Sequence, residues 1–178
     1  MIFITRHYDI MPPVVRLNSE WAAAAFMLGE SIETSAGDPS QAGKALRVVG
    51  TNPFIIGEEA EEGNLLLNLL RKNPGIECYI LNTGMVGGAD KGQKITLKDS
   101  LKILEMLARG EIAWRKDEFW GYEVPTHIPS VDLTRFDPSN FYSEEQIQEI
   151  SKDLKQERLK WLSKFEHLDS DIINAIKP

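Results

Sequence analysis

At 178 residues and 20.1 kDa the chain is long enough to bury a core of its own as a single domain, residues 1–178, and its 42% hydrophobic and 26% charged composition is that of a soluble globular protein. No apolar run reaches the roughly 18 residues of a membrane span, and a net charge of -7 argues against a nucleic-acid backbone or an anionic membrane surface as partner. The N-terminus shows neither a basic segment before its short apolar run nor a small-residue cleavage site, and Cys78 is the single cysteine; the chain therefore reads as cytoplasmic, with no internal disulfide and no cysteine zinc site.

In chain order, Ile2-Phe3-Ile4-Thr5 reads as a short buried strand. Such a strand needs neighbours on both edges, supplied by later strands or by a larger fold that this chain enters partway. Pro12-Pro13 stops it, because proline lacks an N–H and restricts the residue before it. Asn18 as N-cap and Gly29 beyond the end bracket a helix over residues 21–28, whose four alanines permit close packing. Residues 30–46 turn polar and glycine-bearing and read as a loop. Residues 47–50 and 54–57 read as extended pieces around Thr51-Asn52-Pro53, where the proline argues for an edge or a bend. A second helix is expected over residues 58–73: its acidic first turn complements the helix dipole, and Leu65, Leu66, Leu69 and Leu70 form the expected apolar stripe. The glutamates of that turn read as a solvated face, since no histidine or converging partner accompanies them.

The chain is organised around residues 76–110, where an apolar strand, Asn82-Thr83-Gly84, a loop with four glycines and a helix N-terminus follow one another. Unpaired N–H groups and the positive end of a helix dipole suit a polar or negatively charged ligand such as a nucleotide. The loop matches neither GxxxxGK[ST] nor GxGxxG, so its composition alone leaves a surface loop as the alternative. Thr96 with Asp99 resembles a capping box, Leu97, Leu101, Leu104 and Ala108 mark one helical face, and Gly110 ends the helix. Lys94 stands just before the cap and Ser100 one turn in; the plainer alternative is a surface charge and a serine bonded within its own turn. Residues 111–124 read as two aromatic-rich extended pieces, residues 125–142 as a proline-punctuated wrap, residues 144–165 as an amphipathic helix capped by Ser143, and residues 167–178 as a tail. His7, His127 and His167 have no paired spacing, so neither a zinc motif nor a nucleophile triad can be drawn.

Several of these pieces together resemble the C-terminal part of ATP-dependent phosphoenolpyruvate carboxykinases. They are Ile2-Phe3-Ile4-Thr5 with Pro12-Pro13; Leu81-Asn82-Thr83-Gly84 followed by Lys94-Ile95-Thr96-Leu97-Lys98-Asp99-Ser100; Gly121-Tyr122-Glu123-Val124-Pro125; and Pro129-Ser130-Val131-Asp132 with Asp137-Pro138. The resemblance implies an α/β fold with a mixed β-sheet flanked by helices, like the nucleotide-binding C-terminal domain of that family. It implies, for the full-length enzyme, conversion of oxaloacetate and ATP to phosphoenolpyruvate, ADP and carbon dioxide in gluconeogenesis, with Mg2+ and Mn2+ assisting. The family's adenosine-side contact, an Arg-Ile pair and a threonine five residues on, falls on Lys94, Ile95 and Ser100, which are the expected nucleotide-binding residues. Lys for Arg removes a planar fork, and Ser for Thr keeps the hydroxyl. Met85 and Leu101 also depart from the family's usual Trp and Arg. The family's phosphate loop, metal ligands and substrate arginines precede the matched segment, so the resemblance assigns this chain no catalytic and no metal-binding residue. The expected partners are an adenine nucleotide and the missing N-terminal part of the carboxykinase, in the same or a separate chain. A free-standing nucleotide-binding or regulatory module, or a subunit completing a split enzyme, are the alternatives.

Overall fold

The computed structural model describes residues 1–32, 45–51 and 54–177. Along the chain run β1 (Ile2–Thr5), β2 (Val14–Leu17), α1 (Ser19–Leu28), β3 (Glu30–Ile32), β4 (Ala45–Arg47), α2 (Glu59–Lys72), β5 (Cys78–Asn82), β6 (Met85–Val86), β7 (Gln93–Lys94), α3 (Leu97–Arg109), β8 (Ala113–Lys116), β9 (Glu123–His127), α4 (Glu144–Leu162) and α5 (Ser170–Asn174). Five strands form the main sheet in the order β1-β5-β2-β9-β8; β1 and β5 are parallel and the other neighbours antiparallel. Helices flank this mixed sheet, as the resemblance implies.

β5 is buried along its whole length because both of its faces are covered. Cys78 and Ile80 join the cluster under α1 and α2, while Tyr79 and Leu81 join the one under α3, as the two-residue period of a strand requires. Burial pushes the Cys78 thiol up. On the first face, α1 brings Trp21, its alanines and Met27 against Leu67 and Leu70 of α2. The helices approach closely at Gly63, where a Cβ would lie 2.5 Å from the Met27 sulfur. α4 is held to this layer by the Trp161 indole N–H, which donates to the Met27 carbonyl at 2.9 Å.

Helix caps agree with the sequence: the Asn18 side chain accepts from Trp21 N–H, and Gly29 and Gly110 end α1 and α3 in the left-handed conformation. Five other readings need correction. Among the described residues β1 pairs with β5 alone, so later strands flank it on one edge, and Ile2 and Ile4 are exposed where a buried strand was expected. Residues 30–46 are not all loop: their ends pair as β3 and β4, Glu30 opposite Arg47, and residues 33–44 lie outside the described residues. No strand forms over residues 54–57, where Phe54 and Ile56 are exposed; residues 52–53, including the proline, lie outside the described residues.

The remaining two corrections concern helices. α2 and α3 are rotated from the expected faces: α2 buries Ala60, Gly63, Leu67 and Leu70 and exposes Leu65 and Leu69, and α3 buries Ser100, Ile103 and Met106. In each helix more than one apolar stripe is available; α2 turns inward the one that meets α1, and α3 the one that meets Tyr79 and Leu81 of β5. Finally, the expected tail folds back: α5 and the residues around it bury Leu168, Ile172 and Ile176 in the α1–α2 layer, an apolar spacing of four that suits one helical face.

Candidate functional site at the α3 N-terminus

The end of β5 is tied down by Asn82, whose Oδ1 accepts from the N–H groups of His7 (2.9 Å) and Gly84 (3.0 Å) while its Nδ2 donates to the Met11 carbonyl at 3.1 Å. The Thr83 hydroxyl donates to the Thr5 carbonyl. A Cβ on Gly84 would sit 2.1 Å from the His7 carbonyl oxygen, so the crossing leaves no room for a side chain. The glycines beyond serve packing as well. Gly87, at φ +104°, lies under the Phe141 ring, and Lys91 Nζ donates to the Phe141 carbonyl at 2.7 Å. Phe141 and Tyr142 therefore pack against the loop that the sequence presents as free to wrap a ligand.

Lys94 closes the short β6–β7 hairpin opposite Met85 and is exposed. The Ile95 N–H donates to the Gly84 carbonyl at 3.0 Å, and the Ile95 side chain is 2% exposed, in the cluster with Leu81 and Ile103. The capping box is present: Thr96 Oγ1 accepts from Asp99 N–H, and Asp99 Oδ2 accepts from the Thr96 N–H (2.9 Å) and hydroxyl (2.6 Å). Burial raises the Asp99 carboxyl, but these Thr96 hydrogen bonds and Arg135 at 3.3 Å outweigh it and hold it below the ordinary range. Ser100 is 7% exposed, its N–H donating to the Thr96 carbonyl. Of the three expected residues, then, Lys94 faces solvent while Ile95 and Ser100 point into the core, and no single open surface presents all three.

Two features lie outside the sequence reading. An open groove of about 810 Å³ runs beside α3, lined by Thr96, Leu97, Leu101, Val131 and Arg135. Leu97 and Leu101 are 75% and 57% exposed, so the residue pair read as core forms its apolar floor. Ser130, on the far wall, adopts φ 64°, uncommon for a residue other than glycine. The second is a charge cluster at Glu30. Its carboxylate accepts from Arg158 Nε and Nη2 (2.9 and 2.8 Å) and Arg47 Nη1 (2.9 Å), and His7 Nε2 lies at 3.4 Å. Burial pushes the Glu30 carboxyl up, but Arg158 and His7 override it and hold it well below the carboxylate range. Arg158 and Glu30 are 128 residues apart, and nothing local in either segment announces the pair. Among the described residues no group of three or more His, Cys, Asp or Glu side chains is arranged to hold a metal ion.

A family profile described as phosphoenolpyruvate carboxykinase matches residues 1–134. The chain belongs to the phosphoenolpyruvate carboxykinase family. That carboxykinase match takes in the whole main sheet, the capping box and Lys94 to Ser100. Similar proteins include the phosphoenolpyruvate carboxykinase (ATP) of Aeropyrum pernix, 33% identical over 165 residues that make up 91% of this chain and 32% of that protein. Those of Sinorhizobium fredii and Agrobacterium fabrum are each 27% identical over 176 residues, 94% of this chain and 33% of each protein. The chain thus spans about a third of the length of the carboxykinases it matches. Among the described residues no helix is long and apolar enough to cross a membrane.

Proposed function

We propose that this chain is the C-terminal part of an ATP-dependent phosphoenolpyruvate carboxykinase and supplies part of the adenosine-side wall of the ATP site, with Lys94 as the exposed contact and the buried Ile95 and Ser100 as its support. The observation that carries the reading is the placement of Lys94: an exposed cation, in the matched segment, two residues before Thr96, the N-cap of α3. The capping box favours the adenosine side over the phosphate side, because Asp99 fills the helix terminus with a carboxylate that repels a phosphate. Lys94 offers a point charge to a ribose or purine acceptor, where an arginine would offer a planar fork. Ile95 supports that position from beneath, and Ser100 holds its hydroxyl one turn inside.

For the whole enzyme we propose the family's reaction, oxaloacetate and ATP to phosphoenolpyruvate, ADP and carbon dioxide, in the cytoplasm and in gluconeogenesis. Phosphoryl transfer there depends on positioning and on neutralising charge with divalent metal ions. The described residues do not fit such a metal, and no sequence in the chain has the GxxxxGK[ST] spacing. On this reading the metal and phosphate chemistry belongs to the other part of the carboxykinase, as the resemblance implies, and the chain alone is expected to be inactive. Part of a pocket supports binding in the millimolar range, about 4 kcal/mol. Backbone NMR shifts of the chain titrated with ATP and Mg2+ test the reading. Saturable shifts over residues 94–100 that weaken several-fold in Lys94→Ala are expected; unmoved resonances at millimolar ATP contradict it.

A further inference from the structure

β1 closes one end of the sheet: β5 pairs with it on one side, and among the described residues no strand pairs on the other. The N–H groups of Tyr79 and Thr83 donate to the carbonyls of Met1 and Thr5. Residues 1, 3 and 5 therefore aim their main-chain groups at β5, and Ile2 and Ile4 aim theirs at the open edge. Both faces of this edge are only partly covered by the described residues, although Thr5 is buried and Phe3 half-buried. On the α3 side Ile4 is 67% exposed, because α3 packs over β5 and β2, on Tyr79, Leu81 and Val14. On the α1 side a cavity of about 380 Å³ opens between Phe3 and Phe26, and Glu30 and Arg158 bound its polar end. Edges that stay in water are normally blunted by charge, proline or a bulge; Ile2-Phe3-Ile4-Thr5 has none of these.

We infer that this edge is the seam at which the rest of the carboxykinase fold joins the chain. One extended strand from that part pairs with the main chain of Ile2 and Ile4, covers Ile4 on one face and fills the Phe3–Phe26 cavity with an apolar side chain on the other, in the manner of strand addition to an open sheet edge. The occupant we choose is the remainder of the carboxykinase, because the chain spans about a third of the length of its relatives. The inference rests on the carboxykinase reading above, but not on Lys94 or on nucleotide binding.

The test is co-expression of the tagged chain with the part of the Aeropyrum pernix carboxykinase (ATP) that it does not match, followed by co-purification and amide hydrogen exchange. A one-to-one assembly is expected in which the Ile2 and Ile4 amides exchange at least tenfold more slowly than in the chain alone. Ile4→Pro removes an edge-facing N–H and no bond to β5, so the chain alone should keep its thermal midpoint while assembly weakens at least tenfold. Ile4→Lys, which leaves the backbone intact, should weaken it likewise and decides the matter if the proline variant is unfolded. Absence of assembly, assembly unaffected by either variant, or a dimer of this chain alone that protects the same amides would each overturn the seam. Nucleotide shifts at Lys94 report separately, so the seam can fail while the adenosine contact stands, and the reverse.

Discussion

Glu30 joins three separate parts of the chain at one carboxylate, since His7, Arg47 and Arg158 all reach it. Arg158 is 2% exposed, and its guanidinium also lies 5.0 Å above the Trp120 ring. Removing one partner of such a buried pair leaves the other charge uncompensated, so Glu30→Gln should cost about 3–5 kcal/mol in urea unfolding at neutral pH. The acid response has a definite sign. The native carboxyl is held below its ordinary value of 4.5, so its contribution is fully present above that value and is lost as the pH falls through the depressed native value. The variant should therefore show a shallower loss of stability below about pH 4.5 than the parent; equal slopes would mean that Glu30 is not the group responsible. The capping box can be read from sequence because its partners sit three positions apart, whereas the Glu30–Arg158 pair joins residues 128 apart that no local pattern connects.

Among the elements, the loop after β5 and the α1–α2 layer make separable claims. Gly87→Ala would place a Cβ 2.3 Å from the Phe141 ring at a backbone angle that side chains rarely adopt, and should destabilise by about 1–3 kcal/mol. Adding Phe141→Ala should recover the steric part of that cost and leave the backbone part, which a double-mutant cycle reads directly. Ile176→Ala, in the segment read from sequence as a tail, should cost about 2–5 kcal/mol, since Ile176 is fully buried; thermal unfolding within a degree of the parent would restore the tail reading. The existence and caps of α1, α3 and α4 were legible because Asn18, Thr96, Ser143 and the terminal glycines act locally, whereas α5 was not. Helix rotation was not. Leu97 and Leu101 satisfy the same periodicity as Ile103 and Met106, and the choice between them is made by the sheet, whose order is a non-local fact.

At the scale of the whole molecule, a five-stranded sheet ends, among the described residues, in β1 with one edge unpaired, and the chain spans about a third of the length of the carboxykinases it matches. The mixed α/β class was legible because the residues that resemble the family run through the strands themselves. The groove beside α3 and the bare edge were not, since both are defined by what fails to pack. The central claim is that Lys94, with the buried Ser100 behind it, keeps the family's adenosine contact in altered form, and restoring the family's residues tests it most directly. ATP affinity should be measured by NMR titration for the parent, Lys94→Arg and Lys94→Arg/Ser100→Thr. A planar fork at an exposed position should tighten binding about threefold to tenfold, about 0.6–1.4 kcal/mol, with the shifts still centred on residues 94–100. Unchanged or weaker binding in Lys94→Arg, or shifts centred elsewhere, would contradict the placement of the nucleotide at the α3 N-terminus.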